Sequence, residues 1–409
     1  MGFFEQPEKM FEGESFFMRE LREAYLKAAE GLKEKLTALS DDFFRNPELG
    51  LEEERTSAIM QELLKEAGFA VEPRVAGMKT AFKAAIGSGS PRIALLAEMD
   101  ALPGIGHGCG HNIGGTASIG AGIALAKTLS GRLKPGQGTL LVLGTPAEEL
   151  GKGKIEMVKA GVFEGVDASM MVHGSSKRTV LKHFLGLERL SFTFHGRSSH
   201  ASAYPEEGIN ALDAVILLFN SIGLLRQQVR SDVRIHGIIT DGGRKPNIIP
   251  ERAAASFYVR ANDLKELASV KERVINCARG AAAATGCTVD VANGGDLNAP
   301  MKINMAFIEL YRGVLKSLGL KEDTQPPEKN VGSSDIGNVS QIIPTIHPHV
   351  PIREGINIHT REFAEATATP DGHRALMEGV FTLGLTAIEL LLNREALEAV
   401  KKDFTESRP

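Results

Sequence analysis

From Pro91 to Gly174 the sequence alternates short apolar runs with helix-like stretches, and this alternation most restricts the fold. The runs "PRIALLAEMD", "GTLLVLGTPAEE" and "VDASMMVHG" each end in polar residues, and "TASIGAGIALAKTLSG" and "IEMVKAGVF" between them carry helical spacing. That order predicts a parallel sheet covered by helices. In such sheets ligands gather beyond the carboxyl ends of the strands. Asp100, Glu148, Glu149 and His173 stand at those ends.

The flanking segments read differently. Residues 14 to 66 predict two amphipathic helices, "ESFFMRELREAYLKAAEGLKEKLTALSDDFFRN" and "EEERTSAIMQELLKEAGF". From Gly186 to Asn298 the strands "LERLSFTFHG", "DVRIHGIITDGG", "AAASFYVRA" and "CTVDVANGG" are interleaved with two helices. The order strand-helix-strand-strand-helix-strand is that of a ferredoxin-like α+β unit inserted into a larger domain. The expected division is therefore a catalytic α/β domain over 1–185 and 300–409, with an inserted domain over 186–299.

Charge and cysteine usage limit the partners. A net charge of −4 over 409 residues offers no basic field for nucleic acid, so small molecules are the expected partners. Cys109, Cys277 and Cys287 form no disulfide framework, which suits a reducing compartment. The start "MGFFEQPEKMFEGESFF" has no basic flank followed by an apolar stretch, and Gln6 stands where a myristoylation signal needs Ser or Thr. The late segment "ALMEGVFTLGLTAIELLLNREALEAV" contains Glu378 and Glu389 and reads as a buried helix rather than a membrane span. A cytoplasmic location is expected.

The chemistry concentrates in "GHGCGHNIGG", where Cys109 and His111 are two apart and can point at one centre. Thiolate and imidazole are ligands for zinc or a similar divalent ion. In "TPAEEL", adjacent Glu148 and Glu149 need a cation or a raised pKa to coexist in a cleft, so one can bind metal while the other moves protons. Read alone, the pair equally fits solvated glutamates opening a helix, and His173 equally fits a satisfied buried imidazole.

The motifs "MDALP", "GHGCGH", "PAEE", "GRSSHAS", "PNIIPE", "GSSD" and "HTREF" run in order along most of the chain. In that order they resemble the metallopeptidase family of aminoacylase, carboxypeptidase G, succinyl-diaminopimelate desuccinylase and the auxin-conjugate amidohydrolases. Within it, "GHN", "SSDIGNVS" and "HTREF" are similar to para-aminobenzoyl-glutamate hydrolase and its dipeptidase relatives. The resemblance implies a zinc-peptidase-like catalytic domain, with a mixed sheet covered by helices and an inserted lid or dimerisation domain. It also implies a homodimer. Cys109, His111, Glu149, His173 and His359 would hold two divalent metal ions, with zinc expected and manganese as the alternative, and the Cys109 thiolate would bridge them. Glu148 becomes the general base and Asp100 an orienting group of the catalytic set. His200 resembles the histidine that stabilises the oxyanion in a partner subunit's site. Asn247, Arg260, Gly332 and Ser333 resemble the substrate-carboxylate pocket.

Two positions depart from the pattern: Glu98 stands where relatives with His-x-Asp carry a metal-binding histidine, and Asn112 stands where the amidohydrolase branch carries Asp. His347 and His349 rival His359 as the last ligand; the Thr and helix start after His359 favour it. His107 has no assigned role. The expected reaction is metal-dependent hydrolysis of an amide in a small carboxylate-bearing substrate: an N-acyl amino acid, an aroyl-glutamate or a dipeptide. The rivals are a cysteine hydrolase using Cys109 with His107 or His111, and a non-catalytic partner subunit. Chelation separates the first, and the completeness of the ligand set argues against the second.

Overall fold

The structure, a computed structural model, describes residues 16–132, 136–324 and 332–407. The amino-terminal stretch tested for a leader lies almost wholly outside them. Two compact units emerge: within the described residues one spans 16–182, 302–324 and 338–407, and the other 183–301 and 332–337. Residues 332–337, which the sequence reading left with the catalytic part, group with the second unit.

The first unit opens with helices α1 (Phe16–Glu30), α2 (Lys33–Arg45) and α3 (Glu54–Glu66). The single helix expected over the first segment is two, because the chain breaks at Gly31, a residue with poor helical propensity. Strands β1 (Ala70–Pro73), β2 (Phe82–Gly89) and β3 (Arg92–Glu98) follow, then α4 (His111–Leu129), β4 (Gln137–Thr145), α5 (Gly153–Lys159), β5 (Ala168–Met170) and β6 (His173–Ser175).

The second unit contains β7 (Gly186–His195), α6 (Ala211–Leu225), β8 (Arg234–Asp241), β9 (Arg252–Ala261), α7 (Leu264–Thr285) and β10 (Thr288–Asn293). Its antiparallel sheet has the order β10-β7-β9-β8, the ferredoxin-like arrangement expected from the element sequence. A separate core of Phe192, Phe194, Val215, Leu218, Phe257 and Val274 packs between sheet and helices. Entry and exit run side by side: Met301 N donates to Phe184 O (3.0 Å), and Leu187 and Asn298 exchange backbone hydrogen bonds of 2.8 and 3.1 Å.

The first unit resumes with α8 (Met305–Ser317). After a short helix α9 (Ile336–Ser340) at the boundary come β11 (Thr345–Ile346), β12 (His349–Pro351), α10 (Arg361–Thr367), α11 (Pro370–Leu392) and α12 (Arg394–Glu406). The main sheet is mixed, in the order β1-β2-β4-β3-β5-β11. Its four neighbours β4, β3, β5 and β11 are mutually parallel, so their carboxyl ends share one margin. Helix α11 is long and apolar enough to cross a membrane by composition, yet 94% of its most apolar window is buried within the fold. Its Glu378 is paired with Arg178 at 2.6 Å and Glu389 with Arg22. Helix α4 lies directly against the sheet margin; a Cβ at Gly115 would stand 2.1 Å from Glu98 O, so only glycine permits that approach.

Candidate metal centre

Each parallel strand delivers a functional residue just past its end. β3 ends at Glu98 and leads to Asp100; β4 leads into Pro146–Glu149; β5 leads to His173; β11 leads to His347. The loop after Asp100 brings Cys109 and His111 back to the margin, with His111 as the first residue of α4. His359, remote in sequence, is anchored there because its backbone N donates to Gly108 O at 2.8 Å. It adopts φ 64, a left-handed conformation that costs a β-carbon residue free energy and occurs where surrounding structure imposes it. Ala147 is held likewise at φ 57, with its N donating to buried Glu53 Oε1 at 2.8 Å. That turn throws Glu148 and Glu149 toward the margin instead of into a helix, which starts only at Gly153.

The donor atoms form two overlapping sets. Those of Cys109, His111 and His173 lie within 4.8 Å of one another, and so do those of Cys109, Glu149 and His359. Cys109 is common to both. The donors of His111, Glu148 and Glu149 make a third such set. His347 and His349 belong to none among the described residues. They pack instead on His173, with ring centroids at 5.4 and 5.2 Å.

Hydrogen bonds fix which nitrogens face inward. His111 Nδ1 lies 2.8 Å from Asp100 O, and His173 Nδ1 lies 2.7 Å from Gly174 O. A carbonyl oxygen only accepts, so both Nδ1 atoms donate and the Nε2 atoms are the ones turned toward a cation. Asp100 does more than orient the ring. Its Oδ1 sits 3.2 Å from His111 Nδ1, while its Oδ2 accepts from Glu149 N at 2.9 Å, linking two ligand-bearing segments. It is placed to hold His111 and the Glu149 segment in register.

Charge distribution points the same way. Burial, then the charges of Glu149 and Glu148, pushes the Cys109 thiol well above its ordinary pKa. A buried thiol beside carboxylates is the reverse of an activated nucleophile, which opposes the cysteine-hydrolase reading. Burial, then His111, pushes His173 down to about 4, leaving a neutral imidazole ready to ligate. Burial also disfavours charge on His111, but Glu98, Asp100 and Glu149 outweigh it and raise its pKa well above the usual value. Buried His111 Nε2 and Glu149 Oε1 have no hydrogen-bond partner. Orphaned donors, a shared thiol and clustered carboxylates fit two divalent cations: zinc by thiolate and imidazole, manganese by carboxylate.

The remaining sequence candidates lie in the second unit. His200 Nδ1 accepts from Ala203 N (3.2 Å) and Ser202 N (3.3 Å), so its Nε2 carries the proton and is a donor. Asn247 O accepts from Ala201 N at 3.1 Å, tying the "PNIIPE" and "GRSSHAS" segments together. Arg260 Nη1 donates to Ser333 Oγ at 3.2 Å, and Gly332 O accepts from Leu185 N at 2.8 Å. The Nε of Arg260 is buried without a partner.

Asn112 resolves one departure. Its amide donates to Thr367 Oγ1 (3.0 Å) and Ser40 Oγ (3.2 Å), bonds that a carboxylate could not donate. His107 is buried, and burial pushes it down to about 3, so it packs as a neutral ring. Two buried charged groups, Glu53 and Lys154, escaped the sequence reading. Glu53 and Lys154 sit in charged, helix-like stretches that give no hint of burial, whereas Glu98 was visible only as a departure.

The chain is similar to known proteins in sequence and in fold. The model of the M20 peptidase dimerisation domain matches residues 185–285. The chain is 36% identical over 394 residues to the mouse Xaa-Arg dipeptidase, covering 92% of this chain and 91% of that protein. The chain belongs to the M20 peptidase family. Another relative, a p-aminobenzoyl-glutamate hydrolase component of Escherichia coli K12, is 34% identical over 67% of this chain and 60% of its own length. A solved Bacillus subtilis structure, described as a dinuclear metal binding peptidase from the M20 family, superposes with a TM-score of 0.70 at 21% identity, over 88% of this chain and 99% of that one. As an M20 peptidase the chain is a metal-dependent amidohydrolase of small amide and dipeptide substrates, with a dinuclear centre and a dimerisation domain.

Proposed function

We propose that this chain is a dipeptidase in which Cys109, His111, Glu149, His173 and His359 hold the two ions and Glu148 handles protons. The observation that carries the assignment is the sharing of Cys109 by two donor sets, with Glu148 Oε2 3.9 Å from His111 Nε2 at their edge. When bound, the ions polarise the amide carbonyl and acidify the attacking water. Glu148 accepts the water proton on a carboxylate oxygen and returns it to the leaving amine nitrogen as the C–N bond breaks. Asp100 keeps His111 and the Glu149 segment in register throughout. Within the second unit, Arg260 is assigned to the substrate carboxylate: a guanidinium with a buried, unpartnered Nε offers a planar fork for that anion. His200 is assigned as donor to the developing oxyanion through its protonated Nε2.

The similarity to an Xaa-Arg dipeptidase runs through both units, which favours dipeptides with a basic carboxyl-terminal residue over aroyl-glutamates. The test is a hydrolysis panel of Xaa-Arg and Xaa-Lys dipeptides, N-acyl amino acids and aroyl-glutamates, with zinc- and manganese-loaded protein. Cleavage of aroyl-glutamates with inert dipeptides overturns the substrate assignment. Glu148→Gln is expected to lower kcat by about 10²- to 10⁴-fold while two ions stay bound. Loss of an ion in that variant would mean that the roles of the two glutamates are exchanged.

A further inference from the structure

We propose that Glu98 is a direct ligand of the ion held by Cys109, His111 and His173, presented by Lys154 as its buried counter-charge. The proposal rests on the dinuclear reading above and extends it to a carboxylate that reading leaves without a task.

Glu98 closes β3, and it and Lys154 are both almost wholly buried. Its Oε1 accepts from Lys154 Nζ at 2.6 Å, which leaves Oε2 as the oxygen that faces the centre. Oε2 lies 3.3 Å from His111 Nε2. Because His111 Nδ1 is spent as a donor to Asp100 O, Nε2 is the nitrogen turned toward that oxygen, and a proton or a cation can lie between the two. An ion that displaces the ring proton there can take both atoms as ligands. In a tetrahedral zinc site with bonds of about 2.0 Å, neighbouring ligand atoms stand about 3.3 Å apart, so the observed separation suits two ligands on one ion.

Glu98 and Glu148 offer oxygens within 4.8 Å of each other, but they differ in depth. Glu148 Oε2 is farther from His111 Nε2, at 3.9 Å, and its side chain keeps 13% exposure against 1% for Glu98. Glu98 closes the coordination from inside the fold, and Glu148 remains at the open side for proton transfer. Lys154 holds Glu98 to a single ligating oxygen and offsets the negative charge that Cys109 and Glu149 already bring.

The experiment follows cobalt(II) binding to the metal-stripped full-length chain by ion content and by its visible d–d bands. Two variants are compared with the unmodified protein: Glu98→Gln, and Glu98→Gln with Lys154→Met, which avoids leaving a buried lysine alone. The expected result is one ion retained at unchanged affinity, the other weakened by about ten- to a hundredfold, and altered d–d bands. Two ions at unmodified affinity with unchanged bands in the folded double variant would overturn the proposal. A zinc-loaded crystal structure of the unmodified chain decides independently of variant folding: Glu98 Oε2 within about 2.2 Å of an ion supports it, and a position beyond about 3 Å overturns it. Two bound ions with Glu98 remote overturn this assignment alone, whereas no bound ion overturns the dinuclear reading with it.

Discussion

Cys109 joins the His111–His173 set to the Glu149–His359 set, and its protonation is therefore coupled to the loading of both. Burial and the neighbouring glutamates raise its pKa, and Glu98 and Asp100 raise that of His111, so both hold protons in the ion-free chain at neutral pH. Ions must displace those protons. Affinity is thus highest at high pH and falls as pH drops, by about tenfold per unit for each proton displaced. Calorimetric titration with zinc in two buffers of different protonation enthalpy is expected to show net proton release. A buffer-independent heat would count against a thiolate ligand. At this scale the sequence singled out Asp100, Glu148, Glu149 and His173 because they follow strand ends, where apolar runs stop, whereas the full candidate ligand set came only from the family resemblance. It concealed Lys154 because "GKGKIE" has the charge pattern of a solvated helix start, and burial there comes from tertiary packing onto β3. Asn112 was visible as a departure, but its cause was not: Ser40 and Thr367, its partners, are far away in sequence.

Elements place these side chains through a few strained or crowded turns. The segment after β4 reverses at Ala147 and packs so tightly on α5 that a Cβ at Gly153 would lie 1.6 Å from Pro146 O. Gly153→Ala is expected to destabilise the chain by about 1–3 kcal/mol through overpacking, and to weaken ion binding because Glu148 and Glu149 ride on that turn. Urea unfolding of the metal-stripped protein, paired with ion content, checks both effects; unchanged ion binding would show that the turn accommodates the methyl group. The helices and strands themselves were legible from their periods, down to the ferredoxin-like order of β7 to β10. Two features were not. The break at Gly31 was hidden by helical spacing that continues on either side. The other is that the short apolar stretch before His359 holds two separate strands, β11 and β12, of which β11 completes the row of parallel strand ends.

At the scale of the whole molecule, the second unit carries its own core, drawn from residues between Leu190 and Cys287. Excised residues 183–301 are expected to fold and to dimerise, as circular dichroism and sedimentation velocity would show; an unfolded fragment would mean that residues 332–337 are required. The alternation of strands and helices announced a catalytic domain and its interruption, but it could not announce that 332–337 joins the second unit. That depends on contacts such as Gly332 O with Leu185 N, made between segments far apart in the chain.

The paired backbone bonds of Phe184 with Met301 and of Leu187 with Asn298 have an evolutionary corollary. A cassette whose two seams lie within one hydrogen bond of each other can be exchanged for a related module without redirecting the host chain. Any such exchange would alter assembly and, with Arg260 and His200, the groups assigned to the substrate at the same time.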